Sequence, residues 1–214
     1  MFKKLRIGLS LTLLIIAFEI HPLAILAQST QGKLEFRLVD ESLDEASLRT
    51  LIDEARQKNK IKPGYSPSII RRLNQALKSK IPSHTQICFE LPPQGDRNQS
   101  PIPYLINDKV ELSGNMLSEV QVNLQEGQPV LLLSFNPEGA KLFEELTQKN
   151  ISQRLAIMLD ETVLTAPRIV TAIPRGKVRY MPKQSMDKNM MAKELEELAS
   201  KLTHYYRLKQ AKPR

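Results

Sequence analysis

The chain has 214 residues, one cysteine and no tryptophan, and its 31 basic against 23 acidic residues give a net charge of +8. A single cysteine excludes an intramolecular disulfide, so stability has to come from packing. The basic residues are not interleaved with aromatic ones, which argues against nucleic acid as a partner.

The first 27 residues stand apart. Lys3, Lys4 and Arg6 precede an apolar run over residues 7–18, which Glu19, His21 and Pro22 interrupt. A membrane span needs about 20 apolar residues, and this run is too short. Ala24-Ile25-Leu26-Ala27 then offers a small residue at a cleavage site, followed by the polar Gln28-Ser29-Thr30. Basic, apolar, small is the order of a secretory signal peptide. Residues 1–27 are therefore expected to be removed on export, leaving a mature chain outside the cytoplasm, in the periplasm or its equivalent. The competing reading is an uncleaved N-terminal anchor. No cysteine follows Ala27, which excludes a lipid-modified mature N-terminus, and no later stretch is long and apolar enough to cross a membrane.

Residues 33–39 alternate apolar and charged side chains, the period of a half-buried strand. Asp44 can cap a helix whose inner stripe is Leu48, Leu51, Ile52 and Ala55. A basic loop over 58–65 turns at Pro63-Gly64, and Ser66-Pro67 opens a second helix that buries Ile69, Ile70, Leu73 and Leu77. Residues 85–91 read as a strand in which Cys88 is a buried structural thiol. Residues 92–103 read as an exposed loop. Strands follow over 104–112 and 116–124, then a continuous apolar run over 130–135 typical of a central strand. Asn136-Pro137-Glu138 supplies a cap, a proline and a first-turn carboxylate for a helix with Ala140, Phe143, Leu146 and Thr147 inside. Residues 154–159 and 163–173 read as strands joined at 160–162. The last helix is expected from a cap at Ser185 to Tyr206, with Met191, Leu195, Leu198, Leu202 and Tyr205 on one face. Met186, Met190 and Met191 could form a surface for unfolded chains, but the stripe places Met191 in the core. Runs of strands with packed helices predict an α+β fold of small mixed or antiparallel sheets.

The segment over residues 112–169 resembles the first periplasmic domain of SecD, a subunit of the bacterial preprotein translocase, in its head portion. Four blocks carry the likeness in order: Leu112-Ser-Gly-Asn-Met-Leu117, the run from Val130 through Asn136 to Phe143, Asn150 through Leu155 to Asp160, and Leu164-Thr-Ala-Pro-Arg-Ile169. Gly114, Asn136, Gly139, Phe143, Leu155, Ala166 and Pro167 stand out as its signature, in structural roles. The two glycines would free the backbone where strands meet helices. Pro167 would mark an edge strand or bulge. The opening strand and final helix are similar to the base portion of the same domain. The resemblance implies a base-plus-head arrangement: residues 28–102 as base and linker, 103–180 as head, and 181–214 as a helix returning to the base with a basic tail.

The sequence departs from the family's pattern in places. Glu161 replaces the usual glycine after Asp160, so a longer or differently shaped turn is expected there. SecD's later transmembrane helices, with their proton-coupling charges, are not in this sequence. His84 and His204 lack a partner for catalysis, and the carboxylates Glu144, Glu145, Glu194, Glu196 and Glu197 sit beside lysines as exposed helix pairs. No catalytic, metal or cofactor site is expected. The resemblance implies a non-enzymatic domain that binds exported polypeptides or the translocation machinery, with exposed strand edges near Ala166-Pro167 taking an extended peptide. A structural adaptor of the envelope, using the fold as a protein-binding scaffold, is the alternative. The tail residues Arg207, Lys209, Lys212 and Arg214 would be drawn to an anionic membrane surface.

Overall fold

A computed structural model describes residues 32–92, 99–182 and 187–208. All belong to one unit, Gln31–Arg214. The expected signal segment, half of the 92–103 loop, Ser185 and all but the first residue of the basic tail lie outside the described residues.

Among the described residues nine strands and four helices alternate irregularly. Strand β1 (Leu34–Leu38) leads to α1 (Glu45–Asn59). Asp44 caps α1 by accepting from the Ser47 N–H at 2.8 Å. Lys60 ends it in a left-handed conformation, φ 50°, with its N–H turned back to the Arg56 and Gln57 carbonyls. Helix α2 (Pro67–Leu77) starts on its proline, and the Ser66 hydroxyl meets Ser68 rather than the backbone. Strands β2 (Thr85–Glu90), β3 (Ile102–Asn107), β4 (Leu112–Ser113), β5 (Leu117–Gln125) and β6 (Gln128–Phe135) follow. Helix α3 (Pro137–Lys149) is capped by Asn136, whose Oδ1 accepts from the Gly139 N–H at 2.8 Å. The chain continues through β7 (Leu155–Leu159), β8 (Thr162–Thr165) and β9 (Lys177–Tyr180). It closes with α4 (Lys188–Tyr205), capped by Asp187.

The strands form two sheets. One has the order β3-β2-β8-β7-β1-β4, the other β5-β6-β9, and the first joins strands from both sides of residue 102. Within it β1 lies antiparallel to β7, from Leu34 opposite Leu159 to Leu38 opposite Leu155. The sheet then curls back on itself. Val39 bridges to Ile106, and the Asp40 N–H donates to the Leu105 carbonyl at 2.8 Å, so the end of β1 meets the opposite edge strand. Strands β1, β7, β8, β2 and β3 thereby close a ring.

Three cores follow from the period of two. On the outer side of β1 and β7, Leu34, Phe36, Leu155 and Ile157 pack with Leu131, Leu133 and Phe135 of β6, Phe143 of α3, and Met191, Leu195 and Leu202 of α4. Helices α1 and α2 cover the outer side of β2 and β3, where Leu48, Ile52, Leu73 and Leu77 meet Ile87, Phe89 and Leu105. Inside the ring lie Val39, Cys88, Ile106, Ala156, Met158, Val163 and Ala166. The fold is α+β.

Local departures from the sequence reading have physical causes. The stretch 104–112 is two strands, because β1 takes β3 at one end and β4 at the other. The second strand of the last hairpin stops at Thr165. In α4, Tyr205 is 42% exposed and its neighbour Tyr206 turns inward instead, since the helix ends there and no longer holds the stripe in register. Met191 is in the core, and Met190 is exposed.

The longer or differently shaped turn expected after Asp160 is not found. Leu159 pairs directly with Thr162, leaving a two-residue turn in which Asp160 (φ 48°) and Glu161 (φ 70°) both adopt positive φ. Mirror-image hairpin turns require that geometry, which is why glycine is favoured there. Asp160 is held in it from outside: Oδ1 accepts from the Lys33 N–H at 2.9 Å, its own N–H reaches the Lys33 carbonyl, and Lys201 pairs with Oδ2. Glu161 has no such hold; its contact with Arg71 is 3.9 Å long and exposed. Such a pair contributes little. Glu161→Gly should therefore raise unfolding stability by about 1 kcal/mol. A denaturant midpoint that stays or falls would show that Glu161 is unstrained.

Candidate functional site

The seven residues expected as a signature gather in two places. Gly114, Asn136, Gly139 and Phe143 surround the junction between the two sheets. Phe143 is fully buried against Phe36 and Phe135, with ring centroids 5.7 and 5.3 Å away. The Asn136 N–H donates to the Met116 carbonyl at 2.8 Å, locking the start of α3 to the turn before β5. Neither glycine adopts positive φ, so backbone freedom is not their role. A methyl on Gly139 would come 2.6 Å from the Met116 Cβ, and one on Gly114 would come 2.5 Å from the Tyr206 ring. These glycines are needed for close approach. Tyr206 in turn bonds through its hydroxyl to the Leu34 N–H at 2.7 Å, tying the end of α4 to the start of β1.

Leu155, Ala166 and Pro167 lie together at the other end of β7. Leu155 and Ala166 are buried, while Pro167 is exposed. The Leu155 N–H donates to the Pro167 carbonyl at 3.0 Å, the Ile169 N–H to Gln153 at 2.8 Å, and the Ser152 N–H to Ile169 at 2.8 Å. The segment after β8 is thus already paired along one edge. That pairing sets Arg168 between two bonded positions, so its own N–H and carbonyl point to the opposite edge. Among the described residues neither the Arg168 nor the Val170 N–H has a partner. Val170 is 85% exposed, and nearby Ile151 is 49% exposed. Arg168 also forks onto Glu41, at 2.6 and 3.1 Å, and donates to the Ser152 carbonyl. Arg154 approaches the same carboxylate at 3.5 Å. The arrangement is a short open strand edge with one large apolar side chain beside it and an ion cluster pinning its base. The sequence pattern points to the neighbourhood of Pro167 and not to Val170 or Glu41. Ile169 and Val170 look alike as strand residues, and only the pairing decides which one faces out. Glu41 and Arg168 are 127 positions apart, and no local pattern links them.

At the opposite end of the ring a cavity of about 350 Å³ is lined by Lys33, Glu35, Arg37, Gln86, Asp160 and Tyr205, among others. Glu35 accepts from Arg37 at 2.7 and 3.0 Å and pairs with Lys33. Burial pushes its carboxyl up, but the hydrogen bonds from Lys33 and Arg37, with their charges, more than offset this and hold it below the usual carboxylate range. Cys88, inside the ring, has its thiol pushed up to about 12 by burial. Burial and the neighbouring Glu90 carboxylate likewise raise Tyr104, whose hydroxyl donates to Glu90 at 3.0 Å. His84 sits in the turn before β2 and His204 in the last turn of α4. Glu145 pairs with Lys149 and Glu197 with Lys193 one turn away. Among the described residues no group of three or more His, Cys, Asp or Glu could hold a metal ion. None of the helices among these residues is long and apolar enough to cross a membrane.

Residues 89–200 match the family model described as the SecDF P1 head subdomain. The chain is 31% identical over 174 residues to the protein translocase subunit SecD of Endomicrobium trichonymphae, an alignment covering 79% of this chain and 32% of that one. It is 38% identical over 82 residues to the subunit of Calditerrivibrio nitroreducens, covering 37% and 16%. The chain therefore spans a third or less of these relatives' length. A crystal structure of SecDF in a super-membrane-facing form aligns with a TM-score of 0.48 and 27% identity, over 81% of this chain and 19% of that one.

Two expectations follow from the geometry. Gly114→Ala should cost about 2 kcal/mol of stability, because the Tyr206 ring cannot yield without losing Leu34. The same change in a Tyr206→Leu background should cost much less. Equal costs in both backgrounds would clear the ring of that role. For Glu35, the fold favours the charged form, so its contribution is complete above the ordinary carboxylate range and is lost as pH falls through the lowered value. Glu35→Gln should lower stability at neutral pH and flatten the fall in stability between about pH 5 and about pH 3. Parallel pH profiles for the two proteins would contradict this.

Proposed function

We propose, on the premise that this chain belongs to the SecDF P1 head family, that it is a non-enzymatic accessory of protein export, acting outside the cytoplasmic membrane. Its relatives are translocase subunits by name. The finer reading is that it binds extended segments of exported polypeptides along the edge from Pro167 to Val170. An incoming strand would complete the unused Arg168 and Val170 backbone groups and cover the Val170 side chain. Main-chain bonds carry no sequence preference, which suits a partner that differs from one exported protein to the next. The translocation machinery itself is the other partner this reading allows.

The test is photocrosslinking in intact cells. A photoreactive residue at Val170 is the better probe, because replacing Arg168 would break its fork with Glu41; one at Asp53, exposed on α1, is the control. Capture of many different exported chains, or of translocase components, at Val170 and not at Asp53 supports the proposal. One abundant envelope protein captured at either position would instead mark a scaffold adaptor. Capture of neither class, with secretion unchanged on deletion, would rule the export role out.

A further inference from the structure

Charge is distributed unevenly over the helical layer. Residues 55–89 contain eight lysines and arginines and no aspartate or glutamate. They cover the last turn of α1, the loop to α2, α2 itself and the turn into β2. Three of the eight are engaged. Lys80 pairs with Glu54 at 2.8 Å, Arg71 lies 3.9 Å from Glu161, and Arg56 stacks 5.2 Å from the Tyr65 ring centroid while donating to the Gly64 carbonyl. Lys58, Lys60, Lys62, Arg72 and Lys78 are exposed, and none of their side chains has a hydrogen-bond or ion-pair partner among the described residues.

The loop that carries Lys60 and Lys62, just past Lys58 in the last turn of α1, is held in shape. Ile61 is buried and its N–H returns to the Arg56 carbonyl at 3.0 Å, and Tyr65 packs edge-on against Phe89 at 4.9 Å. The positive charges therefore stand on an ordered surface and are not a floating tail. That surface lacks other features. Between residues 55 and 90 no large apolar side chain is exposed. A stable protein partner needs an apolar centre inside its polar rim, and this face has none. Single-stranded nucleic acid needs free aromatic faces, but Tyr65 is occupied by Arg56 and Phe89. A bilayer needs neither, because its phosphates move to match the cations presented to them.

We propose that this basic rim lies against the phosphate headgroups of an anionic bilayer. The contact is peripheral and electrostatic, with no inserted wedge, and so is reversed by salt. It uses a surface separate from the Pro167–Val170 edge and stands whether or not that edge binds peptide.

Sedimentation of the full chain with vesicles tests it. The vesicles are neutral phosphatidylcholine or a mixture with about one-third phosphatidylglycerol, each at low and at physiological salt. The N-terminal apolar run can attach to either composition, so the readout is the difference between them. The expected result is stronger binding to the anionic vesicles that weakens with salt. Lys58→Glu, Lys62→Glu and Arg72→Glu combined should reduce that difference at least about a hundredfold. Lys209→Glu, Lys212→Glu and Arg214→Glu make the same charge change in the tail and should leave most of it. An unchanged denaturant midpoint checks that both variants fold. Equal binding to the two compositions overturns the proposal. So does an equal loss in both variants, which would mean that net charge alone matters, or full retention by the rim variant.

Discussion

Phe36 is completely buried, its ring meeting Phe135 edge-on at 5.4 Å and Phe143 at 5.7 Å. A strand of the six-stranded sheet, a strand of the three-stranded sheet and helix α3 are fastened at this point. Because side chains alternate along a strand, the same five residues that send Phe36 into this core send Glu35 and Arg37 toward the opposite face, and Val39 follows them into the ring. A slip of β1 by one residue would exchange the two sets and place charges in the aromatic cluster. The register of β1 against β7 is therefore what the rest of the molecule depends on. Tyr206 supports it by clasping the Leu34 backbone from the far end of the chain.

Local patterns were legible in the sequence wherever a residue's role depends on its neighbours. The caps at Asp44 and Asn136, the prolines opening α2 and α3, the alternation in β1 and the apolar run in β6 all appear where the residues indicated. The last helix is capped by Asp187 and not by Ser185 as expected, because both residue types are competent caps and they lie two residues apart. Long-range closure was not legible at all. Nothing in the sequence around Val39 or Ile106 announces that these two strands meet, since both look like ordinary half-buried strands. The Asp160-Glu161 turn was misread for a related reason. Propensity argues against two non-glycine residues at positive φ, but Asp160 is bonded to Lys33 and Lys201, which are distant in sequence.

The candidate edge shows how an expected signature residue and a proposed binding surface can be neighbours without being the same. Ala166 fills the ring and Leu155 the larger core, so their contribution is to position the segment. Pro167 lacks an N–H, yet its carbonyl still serves the ladder toward Leu155. What is left over for a partner begins one residue later. The basic rim was hidden differently. A count over the whole chain shows only a modest positive excess, and the asymmetry emerges when residues 55–89 are taken by themselves.

Cys88 lies within the closed ring, shielded from solvent and held almost wholly as the thiol. Alkylating reagents react with thiolate at accessible sulfur, so the folded ring should be nearly inert to them. Any event that parts β2 from β8, where a single bridge between Glu90 and Val163 joins them, exposes that sulfur. The protein's only cysteine is therefore a built-in chronometer of ring opening, and its labelling rate counts how often the interior meets water.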